Sequence, residues 1–454
     1  MISIVAPGGI SSLLITLRFA AWKDPKARVT SVEPVTVGDA TAVTFEIGTL
    51  KGGDPRGACA QQVDGSDDIN RWPAGASARR SGRRGPCLSI RGTVSATLRR
   101  ERGHSARRDD SARWPIHHPG EDPALSNVAV TGADGFIGSH LVEALVARGD
   151  NVRALAQYNS FGSWGWLDRL PKDTLGRVDI VLGDVRDAGC VLDFLRDAGV
   201  VYHLAALIAI PYSYRAPRSY VDTNVSGTLN ILEAARTLGS GRVVVTSTSE
   251  VYGTARSVPI SEEHPLQSQS PYAASKIGAD KLAESYHLSF ELPVVTLRPF
   301  NTFGPRQSAR AVIPTIITQL AAGERRVNLG NLAPTRDFCY VRDTVAAFLA
   351  VGAAPAGDVV GRVLNAGTGV ETSIGDLAET IARLMDRDIE LNLEDQRFRP
   401  DASEVMRLVC DSRALRTATG WSPQWSLEDG LRETIGWFTE PTNLAAYKSA
   451  EYNV

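Results

Sequence analysis

From residue 128 onward the chain alternates between two hydrophobic patterns. Short runs rich in Val, Ile and Leu fall at 128–131, 152–156, 178–182, 200–204, 242–247 and 293–298. Consecutive apolar positions over so few residues read as strands buried on both faces. Between them, 137–148, 188–197, 217–238 and 272–289 carry apolar residues at helical spacing. Strands alternating with helices predict an α/β fold, a doubly wound parallel sheet with helices on both faces. Past Arg298 the pattern is less regular. It predicts a helix at 310–322, a strand at 326–329, and helices near 342–353, 373–385, 412–418 and 427–438. These pieces form a smaller C-terminal lobe that completes a cleft over the carboxyl ends of the strands. The expected division is an extension at 1–124, a core domain at 125–300, an interleaved lobe at 301–440 and a tail at 441–454.

The first 124 residues differ. Val43, Phe45 and Ile47 alternate with polar neighbours within 39–50, a strand or hairpin pattern. From Cys59 to Glu121 large apolar residues are scarce, and Arg79-Arg80, Arg83-Arg84, Arg99-Arg100 and Arg107-Arg108 punctuate the stretch. Such a segment buries too little apolar surface to offset its chain entropy, so disorder is expected. The arginine pairs have no helical period and no interleaved aromatics, which disfavours nucleic-acid binding and favours an extension without function, read from an upstream start codon.

Composition adds exclusions. Of 454 residues, 43% are hydrophobic and 22% charged, with a net charge of −2, so the whole chain has no bias toward nucleic acid or membrane. Cys59, Cys87, Cys190, Cys339 and Cys410 are scattered with no CxxC. That points to a reduced, cytoplasmic protein without a structural metal. No run approaches the ~18 apolar residues of a membrane helix.

Candidate chemistry sits at the strand ends. After the run Val128–Val130 come Gly132, Gly135 and Gly138, then the helical pattern Leu141, Leu145, Val146. Strand, glycine turn and helix in that order make a dinucleotide-binding (Rossmann) turn, because a pyrophosphate must approach bare N–H groups at the helix start. Tyr272 and Lys276 lie one helical turn apart after Pro271, so phenol and ammonium share a face. A nearby cation favours the phenolate and makes Tyr272 a base for an alcohol proton. The preceding strand ends in Thr246-Ser-Thr-Ser-Glu-Val-Tyr-Gly253.

Together with GDVRD (183–187), YHLAA (202–206), DTNVSGTLNILEAAR (222–236), PYAASK, LRPFNTFGPRQ (297–307), TRDFCYVRD (335–343), NAGTG (365–369), RPDASEV (399–405) and GWSP (420–423), these residues resemble the extended short-chain dehydrogenase/reductase family. Within it they resemble the nucleotide-sugar 4,6-dehydratases, over about Asn127 to Phe438. ALAQYNSFGSWGWLDRL (154–170) and LIAIPYSY (207–214) are similar to the branch acting on nucleotide-linked N-acetylglucosamine in legionaminic-acid-type pathways.

The resemblance implies a homodimer built on 217–238 and 272–289, and residue roles. Gly132, Gly135 and Gly138, with Phe136 and Ile137 between them, would hold the pyrophosphate of NAD. Asp184 and Val185 would meet the adenine, and Ala205 and Ala206 the nicotinamide ribose. Asn224 would support the site. Thr248, Tyr272 and Lys276 would deprotonate the C4 hydroxyl against the nicotinamide. Asn301, Arg306, Arg336 and Arg399 would hold the substrate diphosphate, since arginine presents a fork of donors to phosphate.

Glu250 would separate dehydration from 4-epimerisation, which requires no extra carboxylate. Once C4 is a ketone, Glu250 would remove the C5 proton as the C6 hydroxyl leaves, and the hydride would return to C6. Two departures stand out. Ser249 occupies the place where many dehydratases have Asp, so the C6 oxygen would be protonated by Glu250 or through Ser249. Thr-Ser-Glu is also found in UDP-glucuronate decarboxylases. No acidic residue follows the second strand in Leu155–Ser160, which leaves NADP open beside NAD. Trp164, Trp166, Tyr212 and Tyr214 are expected to pack the lobe interface rather than stack on a ligand.

Overall fold

The computed structural model describes residues 126–448 and five earlier strand segments, Ile2–Ile4, Ile15–Leu17, Ala27–Val37, Ala40–Thr49 and Ile90–Ala96. The chain divides into two units, Met1–Asp110 and Ser111–Val454. In the first, Ala27–Val37, Ala40–Thr49 and Ile90–Ala96 form an antiparallel sheet with Ala40–Thr49 in the middle. The alternating stretch at 43–47 lies on that middle strand. Ile90–Ala96 differs from the expectation of disorder: it pairs Val94 with Val43 and Ile90 with Ile47, an alternation too short to stand out among arginine and glycine. The rest of that expectation lies outside the described residues.

The second unit is built on seven parallel strands: β1 (Asn127–Thr131), β2 (Asn151–Gln157), β3 (Val178–Gly183), β4 (Val200–His203), β5 (Arg242–Thr246), β6 (Val294–Pro299) and β7 (Val363–Ala366). Their order is β3-β2-β1-β4-β5-β6-β7. The direction of winding reverses between β1 and β4, and such a reversal opens a crevice at the carboxyl ends of the strands. The sequence pattern marks six of these strands. β7 has only four residues, one of them the buried Asn365, and no apolar run announces it.

Alternation along each strand sends side chains to two cores. Val128, Val130 and Val244 pack with helices α1 (Phe136–Arg148) and α5 (Val341–Ala353) through Leu141, Val142, Leu145, Phe348 and Val351. Ala129, Val243 and Val245 pack with α2 (Ala188–Phe194), α3 (Gly227–Leu238) and α4 (Pro271–Phe290) through Phe194, Ile231, Leu232 and Ala283. Each fully buried aliphatic contributes roughly 1.5–3 kcal/mol. The first core continues into the C-terminal lobe, through Ile316, Leu320, Leu377, Ile381 and Leu431, so lobe and sheet share one hydrophobic interior.

The expected single helix over 217–238 is interrupted. Pro217–Tyr220 leads into one wide π turn, Val221–Ser226, in which the Gly227 N–H reaches back to the Asp222 carbonyl. The extra residue turns Asn224 inward, where it is 1% exposed. Inserted turns of this kind are frequent at functional sites.

Candidate active site

β1 ends on Gly132, whose φ of +65 is the left-handed region that glycine enters freely. A Cβ there would stand 2.7 Å from the Ala205 nitrogen, and one on Gly138 would collide with the Gly132 carbonyl. The backbone is therefore bare at this turn. α1 starts from Gly135 with no side-chain cap and no acidic residue in its first turn. Its N–H groups face the cleft with the positive end of the helix dipole, an anion site that fits a dinucleotide pyrophosphate.

An acidic residue from outside β2 reaches its end. Asp134, inside the glycine turn, accepts a hydrogen bond from the Gln157 N–H at 3.2 Å, at the very end of β2. Burial raises its carboxyl above the usual range. Its carbonyl accepts from the Trp166 N–H at 3.0 Å, which pins the 158–170 loop to the turn. Asp184 is paired with Arg186, Nη2 to Oδ2 at 2.5 Å, and that pairing holds its carboxyl low. Val185 packs beneath it against Gly227.

A buried hydrogen-bond chain joins the two halves of the site. The Thr131 hydroxyl accepts from the Leu204 and Ala205 N–H groups, so its proton points to His203 Nδ1 at 2.8 Å. His203 Nε2 then donates to Thr228, which donates to the Asn224 carbonyl at 2.6 Å. Burial, with Lys276 nearby, pushes His203 down to about 3, so the ring is neutral. The Asn224 amide clasps the Leu207 backbone N–H and carbonyl at 2.8 and 2.9 Å and donates to Ser275, which donates to the Tyr272 carbonyl. The 204–207 loop and Tyr272 are thereby fixed to one frame.

Ser270 caps α4, and Tyr272, Lys276 and Asp280 follow one another along one buried face. Thr248 hydrogen-bonds the Tyr272 hydroxyl, while burial pushes that hydroxyl above its ordinary range and the Glu250 charge raises it further. The Lys276 ammonium donates to the Thr246 carbonyl at 2.7 Å. Glu250 is 9% exposed, its N–H held by Thr248 Oγ1, and its carboxylate acts electrostatically on both Tyr272 and Arg336. Ser249 is buried beside it.

Arg336 and Arg399 converge on a residue the sequence reading did not single out. Both guanidinium groups lie 3.6 Å from Glu404 Oε1. Asn301 Oδ1 is a buried acceptor without a partner among the described residues. Arg306 lies differently from its neighbours. Its φ is +69, and its Nη1 is held by Glu143 at 2.7 Å and Ser139 at 3.2 Å, tying the 301–310 loop to α1. Thr248, Glu250, Tyr272 and Lys276 line one continuous cleft of about 1340 Å³ with Asn301, Arg306, Arg336, Arg399 and Glu404, running from Asp184 to Arg399. Trp166 packs on Trp437 and Tyr447, and Tyr214 donates to or accepts from Ser403, so both serve the lobe interface. Among the described residues no helix is long and apolar enough to cross a membrane.

A parallel sheet wound in this order, with a bare glycine turn and a half-buried threonine beside a buried tyrosine and lysine over one cleft, defines an extended short-chain dehydrogenase/reductase. The chain belongs to the GDP-mannose 4,6 dehydratase family, whose model matches residues 129–434. It is 36% identical over 319 residues to the low-salt glycan biosynthesis protein Agl12 of Haloferax volcanii, covering 69% of this chain and 98% of that protein. It is 35% identical to UDP-glucose 4-epimerase of Mycolicibacterium smegmatis, covering 68% and 97%. Among solved structures it is similar to DesIV, a dTDP-glucose 4,6-dehydratase from Streptomyces venezuelae with NAD bound, with a TM-score of 0.63 and 32% identity over 69% of this chain and 97% of that one.

Proposed function

We propose that this protein is an NAD-dependent nucleotide-sugar 4,6-dehydratase acting on a nucleoside-diphosphate N-acetylhexosamine. The observation that carries the reading is Glu250, a buried carboxylate in the same cleft as Thr248 and Tyr272. Gly132, Gly135 and Gly138 hold the NAD pyrophosphate, Asp184 and Val185 the adenine, and Ala205 and Ala206 the nicotinamide ribose. Bound NAD supplies a hydride acceptor for C4 and then a hydride donor for C6, so turnover is redox-neutral.

The chain's own groups move the protons. Tyr272, steadied by Thr248 and charged through Lys276, takes the C4 hydroxyl proton. The C4 ketone acidifies C5–H, and Glu250 removes that proton. The C6 oxygen takes a proton from Glu250, directly or through Ser249, and leaves as water. The proton from the C4 hydroxyl finally returns to C5, so every proton is accounted for. Arg336 and Arg399 release Glu404 in favour of the diphosphate, with Asn301 as a further contact. The apolar wall of Leu207, Ile208 and Ile210 beside the sugar favours an acetamido methyl group, and Ile208 is 61% exposed toward the cleft.

The homodimer is built on the segment 217–238 and on α4, where Val221, Leu229 and Leu288 are exposed. The 4-epimerase relatives make epimerisation the competing reading. Incubation with UDP-N-acetylglucosamine separates the two: the expected product has lost one water and carries a 4-ketone, whereas recovery of only the galacto epimer overturns the proposal.

A further inference from the structure

We propose that Asp280 is a positioning residue of this site: its carboxylate keeps the Lys276 side chain cationic beside Tyr272, and Arg298 sets how much of that carboxylate charge Lys276 feels. Asp280 lies one turn beyond Lys276 on α4 and is 4% exposed. Its Oδ2 is saturated, accepting from Ser247 Oγ at 2.9 Å and from Arg298 Nε and Nη2 at 3.1 and 2.8 Å. Its Oδ1 is buried with no hydrogen-bond partner among the described residues. A buried carboxylate oxygen without a partner is unfavourable, and the neighbouring cation on the same helix face offsets it.

The surroundings leave Asp280 as the anion that acts on Lys276. On α4 the neighbour is Tyr272, whose hydroxyl burial holds above its ordinary range. From β4 comes His203, which is neutral. From the end of β5 come the Thr246 carbonyl, Ser247 and Thr248, with Glu250 beyond. From β6 comes Arg298, 3% exposed, whose Nη1 donates to Tyr252 at 2.8 Å; Tyr252 in turn donates to Asn365 on β7. Glu262 accepts from the Asn365 N–H behind them. Burial pushes the Lys276 ammonium down to about 8 and the Asp280 charge acts against that fall. Without Asp280, Lys276 would lose its proton at lower pH, and with it the charge that favours the Tyr272 phenolate. The direct action of the Asp280 charge, which raises the Tyr272 hydroxyl, opposes that effect.

This inference rests on the acid–base reading of Tyr272 and Lys276, and its direct readout is independent of which product forms. The chain has seven lysines, so the ε-methylene resonances of ¹³C-lysine-labelled full-length protein can be followed by NMR, with Lys276→Met identifying the signal. Asp280→Asn is expected to lower the Lys276 titration by about one unit or more, the size expected for a near charge. Asp280→Glu keeps the charge and is expected to titrate close to wild type. Arg298→Gln frees the carboxylate and is expected to shift Lys276 upward. In kinetics, Asp280→Asn should move the alkaline limb of kcat to lower pH with KM for the sugar nucleotide unchanged. A purely structural role gives losses of the same sign in Asp280→Asn and Arg298→Gln. Shifts in one direction for both, or none in Asp280→Asn, overturn the proposal. If Arg298→Gln does not fold, the contrast between Asp280→Asn and Asp280→Glu decides alone.

Discussion

Replacing Glu250 by glutamine tests the division of labour within the cleft. The side chain keeps its shape and loses its charge at a position that is 9% exposed. A positioned general base is worth about 10²–10⁴-fold in rate, or roughly 3–5 kcal/mol. The effect on the first step has the opposite sign. The Glu250 charge raises the Tyr272 hydroxyl, so its removal makes the phenolate that accepts the C4 hydroxyl proton easier to form. Arg336 retains its hydrogen bond to the Thr335 carbonyl and its approach to Glu404, so the diphosphate site should persist. The expected outcome is therefore a split. Absorbance of reduced cofactor should appear in a single turnover as fast as in wild type or faster. Dehydration should fall by at least about a hundredfold, and deuterium from D₂O should enter C5 no faster than the residual dehydrated product forms. Dehydration within tenfold of wild type, or exchange at C5 faster than product formation, would refute the assignment of Glu250 as the C5 base.

Three further expectations follow from the same geometry. Gly132→Ala places a Cβ 2.7 Å from the Ala205 nitrogen at a positive φ, so the purified variant should carry no bound NAD, as read by its absorbance and by HPLC of the released cofactor. Arg336→Gln removes a charge-assisted phosphate contact worth about 1.5–3 kcal/mol, so KM should rise roughly ten- to a hundredfold with kcat nearly unchanged, and an equal fall in kcat would argue against a binding role. Removal of residues 1–124 should leave fold and turnover intact by circular dichroism and kcat, because the strands that build the site begin at Asn127.

Much of this architecture was legible because parallel strands buried on both faces announce themselves as apolar runs. β1 to β6 fall within a residue or two of those runs. β7 was not legible, since four residues containing a buried Asn365 acquire their meaning only from pairing with β6. The helix over 217–238 shows the limit of periodicity: one extra residue in a π turn barely changes the pattern yet aims Asn224 into the site. The site divides in the same way. Glycines, Tyr272 and Lys276 are tied to their chemistry by local spacing, so sequence exposes them. Asp280, Arg298, Glu404 and Asp134 are charged residues that read as solvated surface until tertiary packing buries the first two, sets Glu404 between two arginines and brings Asp134 to the end of a strand it does not belong to.

The claim at the centre is that hydride taken from C4 is delivered to C6 of the same sugar. A substrate carrying deuterium at C4 tests it directly, with the product followed by ²H NMR and mass spectrometry. Dehydration through Glu250 places that deuterium in the C6 methyl group of a product that has lost one water. Deuterium returned to C4 of an epimer with no water lost would contradict the account.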